Sequence, residues 1–201
     1  MAATFAVTWD YRCPFARNAH EHILTALAGG ADWNVRFLAF SLGQVHVAEG
    51  EPSVWEKPEQ DTGILALQAG VVVRDEFPDR FPAVHRALFA ARHDDGLHIE
   101  DRGVVARVLT GHGVPEQAVF ARIDSGAALA TVRSEHEQFA SSHTVWGVPT
   151  FLVGDQAVFI RLMHRAPLGA DGAASTHTIE RILDLIGWAD LNEFKHTSIP
   201  R

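Results

Sequence analysis

Trp9-Asp10-Tyr11-Arg12-Cys13-Pro14-Phe15-Ala16 decides how this chain is read, because an apolar stretch runs into it and a helical pattern runs out of it. Upstream, Thr4-Phe5-Ala6-Val7-Thr8-Trp9 alternates loosely and predicts a buried strand. Downstream, Phe15, Ala19, His22, Ile23 and Leu27 share one helical face. Pro14 suits the first helical turn, and Gly29-Gly30 supplies the stop. Cys13, the single cysteine of the chain, therefore stands at a strand-to-helix junction. The unpaired N–H groups and dipole of a first turn favour a thiolate, the reactive form of cysteine. Such a position typically lowers a thiol pKa from about 8.5 to roughly 3.5–7.5, which would make the thiolate the majority species at neutral pH. A redox pair needs a second cysteine three residues on, and position 16 is alanine. Cys13 cannot close an internal disulfide.

Working outward, Trp33-Asn34-Val35-Arg36-Phe37-Leu38-Ala39-Phe40-Ser41 predicts a second strand, so the chain opens β-α-β. About a hundred residues of different character follow. Residues 44–59 are irregular, broken by Gly50, Pro52 and Pro58, and residues 59–74 predict a helix through Ile64, Leu67 and Val71. Phe81, Val84, Leu88 and Ala91 carry helical spacing, as do Val104, Val105, Val108 and Leu109. Pro115 opens a helix through Val119, Phe120 and Ile123, and residues 127–141 form the last of this set through Leu129, Val132 and Phe139. Then Thr150-Phe151-Leu152-Val153, the turn Gly154-Asp155, and residues 157–161 read as a hairpin. After a glycine-rich loop (residues 167–172), Ile179, Ile182, Leu183 and Ile186 mark an amphipathic helix ended by Gly187. Residues 188–201 read as a mixed tail packed back on the body.

With 201 residues, the chain is long enough for one large domain or for a core domain with an insertion. Hydrophobic residues at 47% and charged residues at 21% are an ordinary globular balance. A net charge of −8 argues against nonspecific binding to nucleic acid or anionic lipid, and no apolar stretch has the length of a membrane span. Met1-Ala2-Ala3-Thr4 has no positive n-region, so a secretory signal is not expected. A lone free cysteine suits a reducing compartment, and the expected location is cytoplasmic.

The second informative segment is Trp146-Gly147-Val148-Pro149-Thr150-Phe151, a Val-Pro-Thr entering a strand right after the helical stretch. With Cys13-Pro14 at the first β-to-α junction and the order β-α-β, helices, β-β-α, the chain resembles the DsbA-like branch of the thioredoxin superfamily. The resemblance implies an α/β thioredoxin fold with an inserted helical domain. Residues 1–43 and 146–201 would form the thioredoxin-like domain, and residues 44–145 the insertion. It implies a cis Pro149 facing Cys13, with Cys13 as nucleophile. Val148 and Pro149 would form the substrate-docking edge, joined in binding by Pro14, Phe15 and Trp146. Where the family carries Cys-x-x-Cys, this chain has Cys13-Pro14-Phe15-Ala16, so the resolving thiol is missing. A mixed disulfide on Cys13 must then be resolved from outside, by a small thiol or another protein.

That pattern leads to a monothiol thiol-disulfide oxidoreductase or thiol transferase, with mycothiol or glutathione as co-substrate and no other cofactor. Expected partners are a small thiol or disulfide, with neither nucleic acid nor membrane, and a homodimer is left open. Two other readings stand beside it. One is a kappa-type glutathione transferase or 2-hydroxychromene-2-carboxylate isomerase-like enzyme, whose family members carry serine where this chain has Cys13. The other is a non-catalytic thioredoxin fold that binds a partner. Asn192-Glu193-Phe194-Lys195 is similar to the end of actinobacterial DsbA-like proteins that work with mycothiol.

Several residues admit a plainer account. Cys13 can be an inert core residue, and Pro149 an ordinary loop proline. Arg12 and Arg17 read as surface charge, against roles in steadying a thiolate or binding a carboxylate. His20 and His22 diverge on a helix and form no metal pair. His93-Asp94-Asp95 and Glu135-His136-Glu137 read as solvated helix surface. Trp9 and Trp146 wall a groove or pack in the core. With one cysteine and no spaced ligand cluster, no metal site is expected.

Overall fold

A computed structural model describes residues 2–167, 169 and 172–191. Strand β1 (Ala3–Trp9) leads into helix α1 (Pro14–Ala28) and strand β2 (Trp33–Ala39). A short helix α2 (Leu42–Val45) follows, then α3 (Ile64–Glu76), α4 (Phe81–His93), α5 (Arg102–Gly111), α6 (Glu116–Asp124) and α7 (Ala127–Ser142). The chain returns through β3 (Thr150–Val153), β4 (Gln156–Phe159) and α8 (Ala173–Ile186). The sheet order is β2-β1-β3-β4, with β1 and β2 parallel from Ala3 opposite Trp33 to Trp9 opposite Ala39. β3 runs antiparallel to both β1 and β4. This is the strand order of a thioredoxin fold, with the helices α2 to α7 carried between β2 and β3.

Two differences from the sequence reading lie between residues 40 and 64. The helix expected from residue 59 begins at Ile64, because Asp61 Oδ1 accepts from the backbone N–H groups of Gly63 and Ile64 and stops the chain there. The stretch read as irregular from residue 44 begins inside α2, which Ser41 caps by accepting from Gln44 N. The expected packing of the tail, the resemblance at residues 192–195 and part of the 167–172 loop fall outside the described residues. Trp188, at the start of that tail, is largely exposed.

Alternation along β1 divides the core in two. Phe5 and Val7 face α1 and α8, where they meet Ala19, Ile23, Phe151, Ile179, Ile182 and Ile186. Ala6 and Leu152 face the helical layer built around α3. That helix is apolar all round, with Ile64, Leu67, Val71, Val72 and Val73 buried, so it forms the centre of the helical set. Fully burying a side chain such as Leu67 or Val71 contributes about 1.5–3 kcal/mol. The start of α8 presses on the end of α1, where a Cβ at Gly172 (φ +91°) would lie 2.9 Å from Gly29 Cα. Only glycine fits that approach.

The sequence suggests an α1 with one buried face that includes His22, yet α1 also buries Arg17, His20 and Glu21, because the helical layer covers its second side. Each of these four polar side chains of α1 has a partner. Arg17 pairs with Glu21 at 2.9 Å and with Asp94, and Arg165 reaches both acids. Arg17 is therefore a buried clamp between α1 and the end of α4, not surface charge. His22 Nδ1 meets Ser175 Oγ of α8 at 3.0 Å.

His20 belongs to a chain of hydrogen bonds whose direction follows from valence. Its Nε2 lies 3.1 Å from the carbonyl of Thr8, an acceptor, so that nitrogen holds the proton. His20 Nδ1 then accepts from His85 Nε2 at 2.9 Å, and His85 Nδ1 accepts from the Tyr11 hydroxyl at 2.8 Å. All three side chains are fully buried. A further proton on His20 would set two N–H groups face to face, and one on His85 would turn Nδ1 into a donor against the Tyr11 hydroxyl that now donates to it, both in a dry interior. Burial accordingly lowers the pKa of His20 from 6.5 to about 4 and that of His85 well below its ordinary value. His136, buried against Phe40, is lowered to about 4 for the same reason.

In the unfolded chain these rings take up protons near pH 6.5 while the folded rings do not, so stability must fall as pH drops from about 6.5 towards 4. His20 alone accounts for about 2 kcal/mol of loss by pH 5. Urea unfolding at pH 7.5 and pH 5 measures it, and equal midpoints would refute the neutral chain.

Candidate active site

The loop that carries the cysteine is locked from below by a carboxylate. Asp10, fully buried, accepts from Arg12 N (2.9 Å), Nε (3.1 Å) and Nη2 (2.7 Å) and from Leu42 N (2.8 Å). Arg12 Nη1 continues to Asp61 at 2.9 Å, the residue that starts α3. The Asp10 carbonyl accepts from Cys13 N at 3.0 Å and closes the turn. Arg12 is thus an internal strut joining the thiol loop to α2 and α3, which overturns its reading as surface charge. Tyr11 is fully buried, and a Cβ at Gly70 would sit 2.5 Å from its hydroxyl oxygen, so α3 passes too close for any larger residue there.

Cys13 is the N-cap of α1, with extended dihedrals (φ −90°, ψ 115°) and Pro14 at the first helical position. Its Sγ accepts from Ala16 N at 3.4 Å and donates to the Val148 carbonyl at 3.2 Å. The Val148–Pro149 peptide bond is cis. Thr8 and Thr150 hold that segment: Thr150 N donates to Thr8 Oγ1 at 2.8 Å, and Thr150 Oγ1 donates to the Gly147 carbonyl at 2.8 Å. Ile160 N donates to the Pro149 carbonyl at 3.1 Å, which carries the hairpin pairing out to the proline. Cys13, Val148 and Pro149 are therefore brought together by β1, α1 and the entry to β3.

The state of the thiol differs from the sequence expectation. Burial, with the residue 8% exposed, pushes the Cys13 pKa above its ordinary value. The N–H groups of Ala16 and Phe15 act against this, the Asp10 carboxylate adds to it, and Arg161 opposes it. The helix N-terminus is present as expected, but desolvation outweighs it. A neutral thiol that donates to Val148 is the resting form.

Phe15, Phe159, Trp146 and Arg161 form the rim. Trp146 is 60% exposed and packs on Phe159 at 4.6 Å between ring centroids. The Arg161 guanidinium lies over Phe15 at 5.1 Å and over Phe159 at 5.4 Å. Pro14 is exposed and Phe15 half-buried. Trp9 does not wall this rim: it is fully buried in an aromatic cluster with Tyr11, Phe81 and His85. Sequence reasoning missed Phe159 and Arg161. The signal was the hairpin register, which puts Phe159 opposite Thr150 and so sets residues 159–161 beside the proline.

The two acidic segments read as solvated surface are structural. His93 Nε2 donates to the Tyr11 carbonyl at 2.9 Å, and Asp94 takes the Arg17 and Arg165 guanidinium groups. Glu135 accepts from Ala39 N at 2.7 Å and pairs with Arg74, while His136 is buried. Of the six, Asp94, Asp95 and Glu137 remain exposed, Asp94 while bound to its two arginines. Among the described residues, no group of three or more His, Cys, Asp or Glu side chains is placed to hold a metal ion.

The family model for the DSBA-like thioredoxin domain matches residues 6–184. No curated protein matches the chain. Among solved structures, oxidised BdbD from Bacillus subtilis is similar at TM-score 0.60 and 16% identity, with 90% of this chain and 87% of that chain covered. The cytosolic disulfide reductase DsbM from Pseudomonas aeruginosa, solved with GSH, gives TM-score 0.60 and 15% identity over 90% and 99% of the two chains. A 2-hydroxychromene-2-carboxylate isomerase gives TM-score 0.62 and 18% identity over 90% and 98%.

Proposed function

This chain belongs to the DSBA-like thioredoxin domain family, and from that premise we propose that it is a cytoplasmic monothiol oxidoreductase that exchanges Cys13 with low-molecular-weight disulfides. The observation that carries the reading is the contact of Cys13 Sγ, at the N-cap of α1, with the Val148 carbonyl beside Pro149. Val148 and Pro149 form a backbone edge against the sulfur, where a disulfide can be laid alongside it. Ala16 is fully buried and offers no thiol, so no internal disulfide competes with the mixed one. The likeness to a cytosolic disulfide reductase solved with GSH supports glutathione as co-substrate, with mycothiol as the alternative small thiol.

In the forward step the Cys13 thiol loses its proton to solvent and the thiolate attacks one sulfur of the disulfide. A Cys13–S bond forms, the substrate S–S bond breaks, and the leaving thiolate takes up a proton. A second small thiol then attacks the mixed disulfide, releases a new small disulfide and returns Cys13 to its reduced form. Incubation with oxidised glutathione followed by intact-mass measurement tests this. One glutathionyl adduct per chain is expected, reversed by excess thiol and absent in Cys13→Ala. Absence of any adduct on the wild-type chain would end the proposal.

A second reading is favoured by the neutral thiol and by the likeness to a 2-hydroxychromene-2-carboxylate isomerase. There Cys13 S–H donates a hydrogen bond to a bound small thiolate, which is itself the nucleophile. Cys13→Ser preserves a donor at that position. Activity retained in Cys13→Ser selects the second reading, and loss of activity selects the first.

A further inference from the structure

Arg161 stands out among the cations of the rim because its neighbours are aromatic. Phe15, two residues beyond Cys13, lies under one side of its guanidinium, and Phe159 lies under another. Arg12, Arg17 and Arg74 each face one or more carboxylates. Arg161 is exposed, and among the described residues it makes no ion pair. A guanidinium stacked on rings keeps its in-plane N–H donors free for a planar anion. Its place is set by the backbone: Ile160 N is bound to the Pro149 carbonyl, so residue 161 follows directly from the docking edge.

The rest of the chain makes such a cation notable. With a net charge of −8, the molecule as a whole repels anions, and Asp10 lies beneath the thiol. An anionic disulfide gains nothing from that field except at a local, uncompensated cation. Trp146, exposed beside Phe159, adds an apolar face next to the charge.

We propose that Arg161, held on Phe15 and Phe159, is a specificity-determining anion anchor that selects small disulfides bearing a carboxylate over neutral or cationic ones. The proposal rests on the thiol-exchange reading of Cys13 and names the substrate class of that same site. The covalent step is unchanged: one S–S bond breaks, another forms, the thiol proton goes to solvent and the leaving thiolate takes one up. Arg161 contributes by holding the substrate carboxylate while Cys13 meets the disulfide.

Three small disulfides of similar length separate the outcomes: dithiodipropionate (anionic), bis(2-hydroxyethyl) disulfide (neutral) and cystamine (cationic). Rates of adduct formation on Cys13 are followed by intact mass at one pH and low ionic strength, each divided by the same disulfide's rate with a free small thiol so that leaving-group acidity cancels. The anionic disulfide should react about fivefold faster than the neutral one, the advantage of a single exposed ion pair, and the cationic one more slowly still. Arg161→Gln should bring the anionic-to-neutral ratio close to one, and Arg161→Lys should keep most of it. Adducts that form at equal rates on the wild-type chain, or a ratio unchanged in Arg161→Gln, would overturn the anchor and leave the exchange reading standing. Failure of all three disulfides to modify Cys13 would overturn the exchange reading, and the anchor with it.

Discussion

Alkylation of Cys13 by iodoacetamide is expected to speed up about tenfold for each pH unit from 6 to 8, roughly a hundredfold in all. The reactive species is the thiolate. Burial pushes the thiol above its ordinary pKa, so at pH 7 no more than a few per cent is ionised. Each unit of pH below the pKa multiplies that fraction by ten. Two N–H groups at the start of α1 favour the anion, but they compete with a dry site and with the Asp10 carboxylate. A rate that is already flat at pH 6 would mean that the helix N-terminus outweighs desolvation. The same pH slope should govern adduct formation with small disulfides, because both reactions need the same thiolate.

Arg12→Ala is expected to cost about 3–5 kcal/mol of stability, since it leaves Asp10 charged, fully buried and without a counter-ion. Leu42 N would be its only remaining partner outside the turn. Removing the charge would also free Asp61 and loosen the start of α3. Chemical denaturation of both proteins measures the loss. A change below about 1 kcal/mol, the range of an exposed pair, would show that the strut is worth no more than a surface salt bridge. Arg12→Lys should recover only part of the stability, because an ammonium cannot supply the Nε and Nη2 donors that Asp10 receives together.

Both predictions turn on polar groups that local patterns describe poorly. The strand at residues 4–9, the helix from Pro14 and the strand at residues 150–153 were legible because apolar period, proline at a first turn and glycine stops are local signals. The Val-Pro-Thr after the helices pointed to the segment that meets the thiol. Nothing in the spacing of Arg12, Arg17, His20 or Glu135 told whether they faced water. Arg17 and His20 are buried because the helical layer covers α1 as well as α8 does, while Arg12 is held by Asp61 and Glu135 is held by Ala39 N and Arg74.

The linear chain determined which elements form, in what order, and that one thiol without a resolving partner sits at the first β-to-α junction. Those outcomes follow from interactions within a few residues: hydrophobic period, capping, and the absence of a cysteine at position 16. Tertiary structure decided that Cys13 rests protonated, that Asp10 and Arg12 brace its loop, and that Arg161 reaches the rim. Each of these depends on desolvation and on charges brought together from distant segments, and such quantities take a value only when the layers close on one another.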